Sequence, residues 1–293
     1  MNKVNNIQGL SYVNPEGIVP FENNPFEVRD DEEMKSLIDS ISEYGILTPL
    51  VVSRQGRRGD VIQLVSGHRR LHAAKELGLQ VIPVSYVTMT PTEIAIAVVD
   101  SNLQREKILP SEKAKAYQLK FEAMRHQGRS SGQLVPKSDD NRTMSAIGED
   151  TGESYKTVQR YIRLNNLLPE LLKMVDEERI ALTPAVELSY LTEDEQRWLL
   201  ETIETEEATP SLSQSQEMKN LSQAGILDMD QIFSIMVKPK ANQKEVIKIK
   251  VEAVDKYLKG CTTPKEREDF LLRACEYYSR FLQRQRNKDR DAR

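Results

Sequence analysis

The chain has 293 residues, with 41 Lys and Arg against 45 Asp and Glu and a formal net charge of −4, which leaves room for two or three domains with buried cores. Hydrophobic residues at 39% and charged residues at 29% exclude a chain disordered throughout, and no apolar run reaches the length of a membrane span or a signal-peptide core. The two cysteines, Cys261 and Cys275, lack the paired spacing of a metal knuckle and fit a reducing compartment, so the expectation is a cytoplasmic protein with no membrane partner. The acidic balance does not exclude nucleic acid, because binding depends on where the basic residues cluster.

In chain order, residues 1–14 are polar and predict a flexible N-terminus. Asp30 or Asp31 can cap a helix to Tyr44, where Met34, Leu37, Ile38 and Ile41 form one face and Gly45 marks the end. Leu50-Val51-Val52 and Val61–Val65 read as strands around a turn at 56–60, and Val81–Val87 as a third strand, placed at an edge by Pro83. Thr90-Pro91-Thr92-Glu93 is a capping box that opens the next helix. That helix runs into the polar cluster Asp100-Ser101-Asn102-Leu103-Gln104-Arg105-Glu106. A helix from Pro110 to about His126 follows, then a loop over 128–141.

The densest signal is Ser66-Gly67-His68-Arg69-Arg70-Leu71-His72-Ala73-Ala74. An apolar strand leads into the glycine, and Leu71, Ala74 and Leu77 recur behind it at helical spacing, which puts Arg69 and Arg70 in a helix's first turn. Free backbone N–H groups and the helix dipole favour an anion there, and two guanidinium groups strengthen that preference. The stretch reads either as a phosphate cradle or as a solvated arginine pair on an ordinary strand–helix unit. His68 and His72 stand four apart, the spacing of a zinc pair, but with no cysteine or third histidine nearby in sequence they read as solvated histidines. No P-loop occurs.

The second signal lies in residues 142–166. Met144, Ile147 and Gly148 fit one helix, Gly152 a turn, and Ser154 the cap of a second helix carrying Val158, Tyr161, Ile162 and Leu164. Ser154, Tyr155, Lys156, Thr157, Gln159, Arg160 and Arg163 are the candidate DNA-binding residues, since the N-terminal end of such a second helix is where base edges and phosphates are met. The alternative is a helical hairpin with a basic outer face. Beyond it, helices follow Pro169, Pro184 and Thr192, the last opened by a Thr192–Glu195 capping box, and 205–216 reads as a surface connection. A final module combines a helix near 229–236, a strand at 246–250, a helix over 251–258 and a helix from Thr263. Phe270, Leu271, Ala274, Tyr277, Tyr278 and Phe281 give that last helix more apolar surface than a small module buries alone, which suggests self-association. The basic tail from Arg280 is either solvated or a weak phosphate contact.

The order of these features resembles the ParB/RepB family of chromosome and plasmid partition proteins. The matching stretches are Asn24-Pro25…Arg29, Gly45–Val52, Ser66–Ala74 and Asn102–Glu106, with the helix-turn-helix behind them, covering roughly residues 18–190. The resemblance implies an α+β fold: a small mixed α/β nucleotide-binding domain over 15–108 and an all-α helix-turn-helix DNA-binding domain over 109–206. A connecting segment over 207–228 and a small α/β C-terminal module over 229–293, a possible dimerisation module, complete the expectation. It also implies a homodimeric, CTP-dependent clamp that binds a palindromic double-stranded DNA site and is nucleoid- or plasmid-associated. Gly67, His68, Arg69 and Arg70 would hold the triphosphate, Thr48, Pro49 and Leu50 would line the nucleoside pocket, Asn102 would place Mg²⁺, and Gln104 and Arg105 would complete the motif. The alternative is a helix-turn-helix transcription or copy-control regulator with this fold and no nucleotide switch.

Three departures from the family pattern stand out. Ser101 replaces the usual glutamate before the asparagine, so a weak CTP hydrolase activity is left open. His68 replaces a common glutamate. Residues 1–10 hold only Lys3 where a ParA-type ATPase partner would meet a basic segment.

Overall fold

A computed structural model of the chain describes residues 8–56, 59–105, 107–129, 139–238, 254, 257–258 and 263–291. They fall into two compact units, residues 1–238 and 239–293.

The first unit opens on a five-stranded sheet. Its strands are β1 (Gln8–Val13), β2 (Ile18–Val19), β3 (Leu50–Gln55), β4 (Val61–Ser66) and β5 (Ile82–Val87), in spatial order β1-β5-β3-β4-β2. The β3–β4 and β1–β5 pairs are antiparallel, and β3–β5 and β2–β4 are parallel. Two expectations change here. Residues 8–13, expected in a flexible N-terminus, form the edge strand, held by its ladder to β5, since Leu10 and Tyr12 stay exposed. Strand β5 is therefore interior, with Pro83 opposite Tyr12. A proline removes only one ladder donor, and the burial of Ile82 and Val84 outweighs that loss.

Helix α1 (Glu32–Tyr44) is capped by the Asp31 side chain, which accepts from the Met34 N–H at 2.8 Å, and it stops at Gly45, whose φ of 72° is left-handed. Helix α2 (His68–Glu76) leaves β4 through Gly67, and its Leu71 and Ala74 join Leu50, Val52, Leu64, Ile82 and Val84 in the sheet's core. Burying Leu71 alone is worth about 1.5–3 kcal/mol, which fixes the face α2 turns inward and so leaves its first turn at the surface. Helix α3 (Pro91–Leu103) carries the expected Thr90–Glu93 capping box and buries Ile94 and Val98 against Val65 and Val87.

Eight further α-helices among the described residues complete the unit: α4 (Pro110–Arg129), α5 (Asp139–Thr151), α6 (Tyr155–Leu164), α7 (Pro169–Asp176), α8 (Leu182–Leu188), α9 (Glu193–Glu206), α10 (Leu212–Gln223) and α11 (Met229–Val237). Both ends of the loop expected over 128–141 are helical, since α4 extends through Arg129 and α5 begins at Asp139; residues 130–138 lie outside the described set. The segment expected to connect domains contains α10, opened by a Ser211–Gln214 capping box, with Met218 fully buried. Helix α11, expected in the C-terminal module, packs Ile232, Ile235 and Met236 into the same core as Leu199 and Ile203 of α9. The Gln214 side-chain amide also donates to the Ile235 carbonyl at 2.8 Å, tying α10 to α11.

The second unit is described mainly by α12 (Pro264–Asp291), on which Phe270, Leu272, Tyr277, Tyr278, Phe281 and Leu282 are exposed. The expected strand at 246–250 and most of the expected helix at 251–258 lie outside the described residues. No helix among the described residues is long and apolar enough to cross a membrane.

Candidate functional site

Gly67 is the pivot of the first site. Its φ of 105° is a conformation that side-chain-bearing residues rarely adopt, and a Cβ there would lie 2.9 Å from Leu50 Cγ and 3.2 Å from an Arg70 Nη. Glycine thus lets β4 turn straight into α2 over Leu50, so the first turn of α2 opens into a cavity of about 410 Å³. Ser66, Gly67, His68, Arg69 and Arg70 form one wall, Ser101, Asn102 and Arg105 from the end of α3 another, and Glu33 and Leu37 of α1 a third.

The two arginines of α2 are held differently. Arg70 donates to the carbonyls of Thr48 and, at 3.1 Å, Pro49, and burial lowers its pKa, so it braces the loop before β3. Arg69 is ion-paired with Glu33 at 3.0 Å and Asp31 at 3.5 Å. Arg105 lies over the Phe26 ring at 5.6 Å; burial and the Arg69 charge lower its pKa, while Glu112 and Glu33 oppose the shift.

His68 is not the solvated residue expected. Its Nε2 is buried without a hydrogen-bond partner, and burial, then the Arg105 charge, pushes its pKa down to about 4. A neutral imidazole is thus kept at the cavity wall. His72 lines a different cleft and bonds Asp30 at 2.9 Å, so the two histidines do not form a pair.

At the end of α3, Asn102 is buried and its amide nitrogen donates to the Val98 carbonyl at 2.8 Å. Ser101 Oγ donates to the same carbonyl at 3.1 Å. Gln104 does not line the arginine cavity; it lines two neighbouring clefts, one of which shares Glu33, Arg69 and Arg105 with that cavity. Leu50 is fully buried beneath Gly67 and supports the cavity from below.

The second site is built by α5 and α6. Ser154 caps α6 by accepting from the Thr157 N–H at 3.1 Å, while Val158 and Leu164 are buried. Val158 packs with Ile147, Tyr117 and Phe121, which fixes the outward face of α6. On that face Ser154, Tyr155, Lys156 and Gln159 are exposed and Thr157 is half-buried. Arg160 donates to Thr183 Oγ1 at 2.7 Å. Arg163 turns inward: it donates to the Ser189 carbonyl at 3.3 Å and stacks 3.7 Å above the Tyr190 ring. Lys219 lies against that ring too, at 3.9 Å, so Arg163 serves the packing of α6 on α8.

Residues 1–103 match the family model of the ParB N-terminal domain. These residues belong to the ParB N-terminal domain family. The chain is 32% identical over 173 residues to the chromosome-partitioning protein Spo0J of Thermus thermophilus, covering 59% of this chain and 57% of that protein. It is 29% identical over 174 residues to a nucleoid occlusion protein of Bacillus mycoides, covering 59% and 53%. The chain thus spans little more than half the length of these relatives. A C-terminally truncated ParB of Caulobacter crescentus, complexed with CTP-gamma-S, is similar at 22% identity and a TM-score of 0.31, covering 65% of this chain and 96% of that one.

Within the ParB N-terminal domain and the residues directly after it, the cavity unites Gly67, His68, Arg69, Arg70, Asn102 and Arg105. Thr48 and Pro49 reach it only through their carbonyls on Arg70. Sequence reasoning missed Glu33, Leu37 and Ser66 as wall residues. The signal for Glu33 was its place in the first turn of α1, although nothing local to α1 says that this turn faces α2.

Proposed function

We propose that the chain is a ParB-type, DNA-binding partition protein: a homodimer that reads a palindromic, centromere-like site through α5 and α6 and is switched as a clamp by CTP with Mg²⁺ at the first turn of α2. The observation that carries the reading is the cavity where three guanidinium groups and an unbonded, uncharged histidine nitrogen converge on a helix N-terminus. A triphosphate fits this donor set, because guanidinium groups and free N–H groups satisfy its oxygens and a glycine admits its close approach. Asn102 spends its amide nitrogen on Val98, so its carbonyl oxygen is the group it can offer Mg²⁺. Bound CTP with Mg²⁺ would supply the compact anion that draws the walls from α2 and α3 together.

Arg69 is the residue free to change partners, because exposed acids hold it, whereas Arg70 keeps the loop at 48–49 in place. Ser101 supplies no carboxylate to assist hydrolysis, so the role of this cavity is nucleotide binding. For DNA, Lys156, Gln159 and Arg160 project from α6 next to its capped N-terminus, the position from which a recognition helix reaches base edges and phosphates. The exposed aromatic side chains of α12 support self-pairing of the second unit. The satisfied state of Arg69 and Arg70 favours the second reading, a DNA-binding regulator without a switch.

Calorimetric titration with CTP, ATP, GTP and UTP in Mg²⁺ separates the two readings. Selective CTP binding that Arg69→Ala abolishes supports the switch; no nucleotide binding by the wild type rejects it.

A further inference from the structure

We infer that Glu33 is an internal counter-anion that occupies the phosphate-binding face of this cavity and must be displaced before an anionic ligand is held. The inference rests on the reading of the cavity as a phosphate site and concerns its regulation.

Glu33 is the carboxylate among the lining residues of a cavity whose other walls, apart from Leu37 and Gly67, are arginines and polar side chains. Its Oε2 sits 3.0 Å from Arg69 Nη1, and its charge also acts on Arg105, the third arginine of the site. A carboxylate bonded to a guanidinium in this way stands in for a phosphate oxygen. Its side chain is 79% exposed, so it can swing into water once Arg69 finds another partner. Asp31 is bound differently: its oxygen caps α1 at the Met34 N–H while contacting Arg69 at 3.5 Å, so it cannot leave without loosening the helix. The mobile acid and the anchored acid therefore divide the work. Asp31 keeps Arg69 oriented toward the cavity, and Glu33 sets how strongly an incoming anion must compete.

The chemistry requires only an exchange of hydrogen-bond partners. Arg69 gives up Glu33 and takes a phosphate oxygen, and the freed carboxylate is solvated. Because the displaced pair is exposed, the penalty is that of a surface ion pair, about two- to fivefold in affinity.

The test is a calorimetric titration of the full chain at low, fixed ionic strength with sodium tripolyphosphate and, separately, with CTP in Mg²⁺. It compares wild type, Glu33→Gln, Arg69→Ala and the double variant. Glu33→Gln is expected to tighten tripolyphosphate binding about two- to fivefold, and this gain is expected to vanish when Arg69 is already alanine. Unchanged or weaker tripolyphosphate binding by Glu33→Gln overturns the inference, as does a gain that persists without Arg69. The two readings fail separately. If Glu33→Gln tightens tripolyphosphate but no variant prefers CTP to other nucleotides, the counter-anion stands and the nucleotide assignment falls. If CTP binds selectively and Glu33→Gln changes nothing, the counter-anion alone falls.

Discussion

Gly148 offers a substitution whose sign depends on which of two effects is larger. It lies inside α5, where alanine is favoured over glycine by about 1 kcal/mol, because glycine loses more backbone freedom on folding. A Cβ at this position would, however, stand 2.5 Å from the Glu153 carbonyl oxygen and 3.4 Å from the carbonyl carbons of Glu153 and Ser154. That oxygen is not the tip of a flexible side chain. It belongs to the turn between α5 and α6, pinned by the Glu153 N–H bond to the Gly148 carbonyl at 2.8 Å and by the Ser154 cap. Relieving the contact means pushing the turn away and moving α6 relative to α5, an overpacking cost of about 1–3 kcal/mol. Gly148→Ala is therefore expected to destabilise the chain by up to about 2 kcal/mol and, on the proposed reading of α6 as the DNA-contacting helix, to weaken site-specific DNA binding because α6 shifts. Thermal unfolding together with fluorescence anisotropy on a labelled DNA site measures both. Gly152→Ala is the control. Its φ of 71° imposes only backbone strain of about 1–2 kcal/mol, and nothing lies within 4 Å of the added Cβ, so its folded fraction should bind DNA normally. A Gly148→Ala protein more stable than wild type would refute the reasoning, because helix propensity would then outweigh the close approach.

Arg163→Ala is expected to lower stability by about 1 kcal/mol through loss of the Tyr190 stack and the Ser189 bond, with the salt dependence of DNA binding unchanged, whereas Lys156→Ala should reduce that slope by about one unit; binding measured from 50 to 200 mM salt separates the two. His68 has a folded-state pKa lowered to about 4, so its contribution to stability is fully present above its unfolded value near 6.5 and is lost as pH falls from 6.5 to 4. The slope is at most about 1.4 kcal/mol per pH unit, and unfolding across this range should be flatter in His68→Gln. Lys120, almost fully buried, bonds Asp100 of α3 at 2.7 Å and Asp150 of α5 at 2.9 Å. Lys120→Met is expected to destabilise the chain by less than the ~3–5 kcal/mol of a fully buried pair, because both acids are about half exposed and regain water, while loosening α3 from α5; denaturant unfolding and DNA affinity report the two effects.

Local rules made much of this legible in the sequence. The Thr90–Glu93 and Thr192–Glu195 capping boxes, the Asp31 cap and the turn at Gly152 depend on neighbours three or four residues away, and they hold as read. The arginine pair at the start of α2 was equally visible, since a glycine between an apolar strand and a helical repeat admits few geometries. What the sequence concealed was long-range. Pro83 argued for an edge strand, and only the pairing with residues 8–13 makes β5 interior. The segment over 207–228, Ser- and Gln-rich near its start, reads as a linker until Met218 and Gln214 find their partners on neighbouring helices. Glu33 and Arg69 are 36 residues apart, and their meeting is set by how α1 lies beside α2, which no local pattern encodes. Arg163 looked like a member of the DNA face because its spacing from Lys156 and Arg160 is helical, yet Tyr190 and Ser189 draw it inward.

Retention on DNA tests the central claim most directly. The measurement is biolayer interferometry on a DNA fragment carrying the recognised site, with both ends blocked, followed by a high-salt wash with and without CTP and Mg²⁺. A nucleotide-switched clamp is expected to stay on the blocked DNA only when CTP is present, and Arg69→Ala is expected to bind the site yet wash off in every condition. Equal retention with and without CTP, or retention of Arg69→Ala equal to wild type, would contradict the account and leave a DNA-binding protein whose arginine cavity serves another purpose.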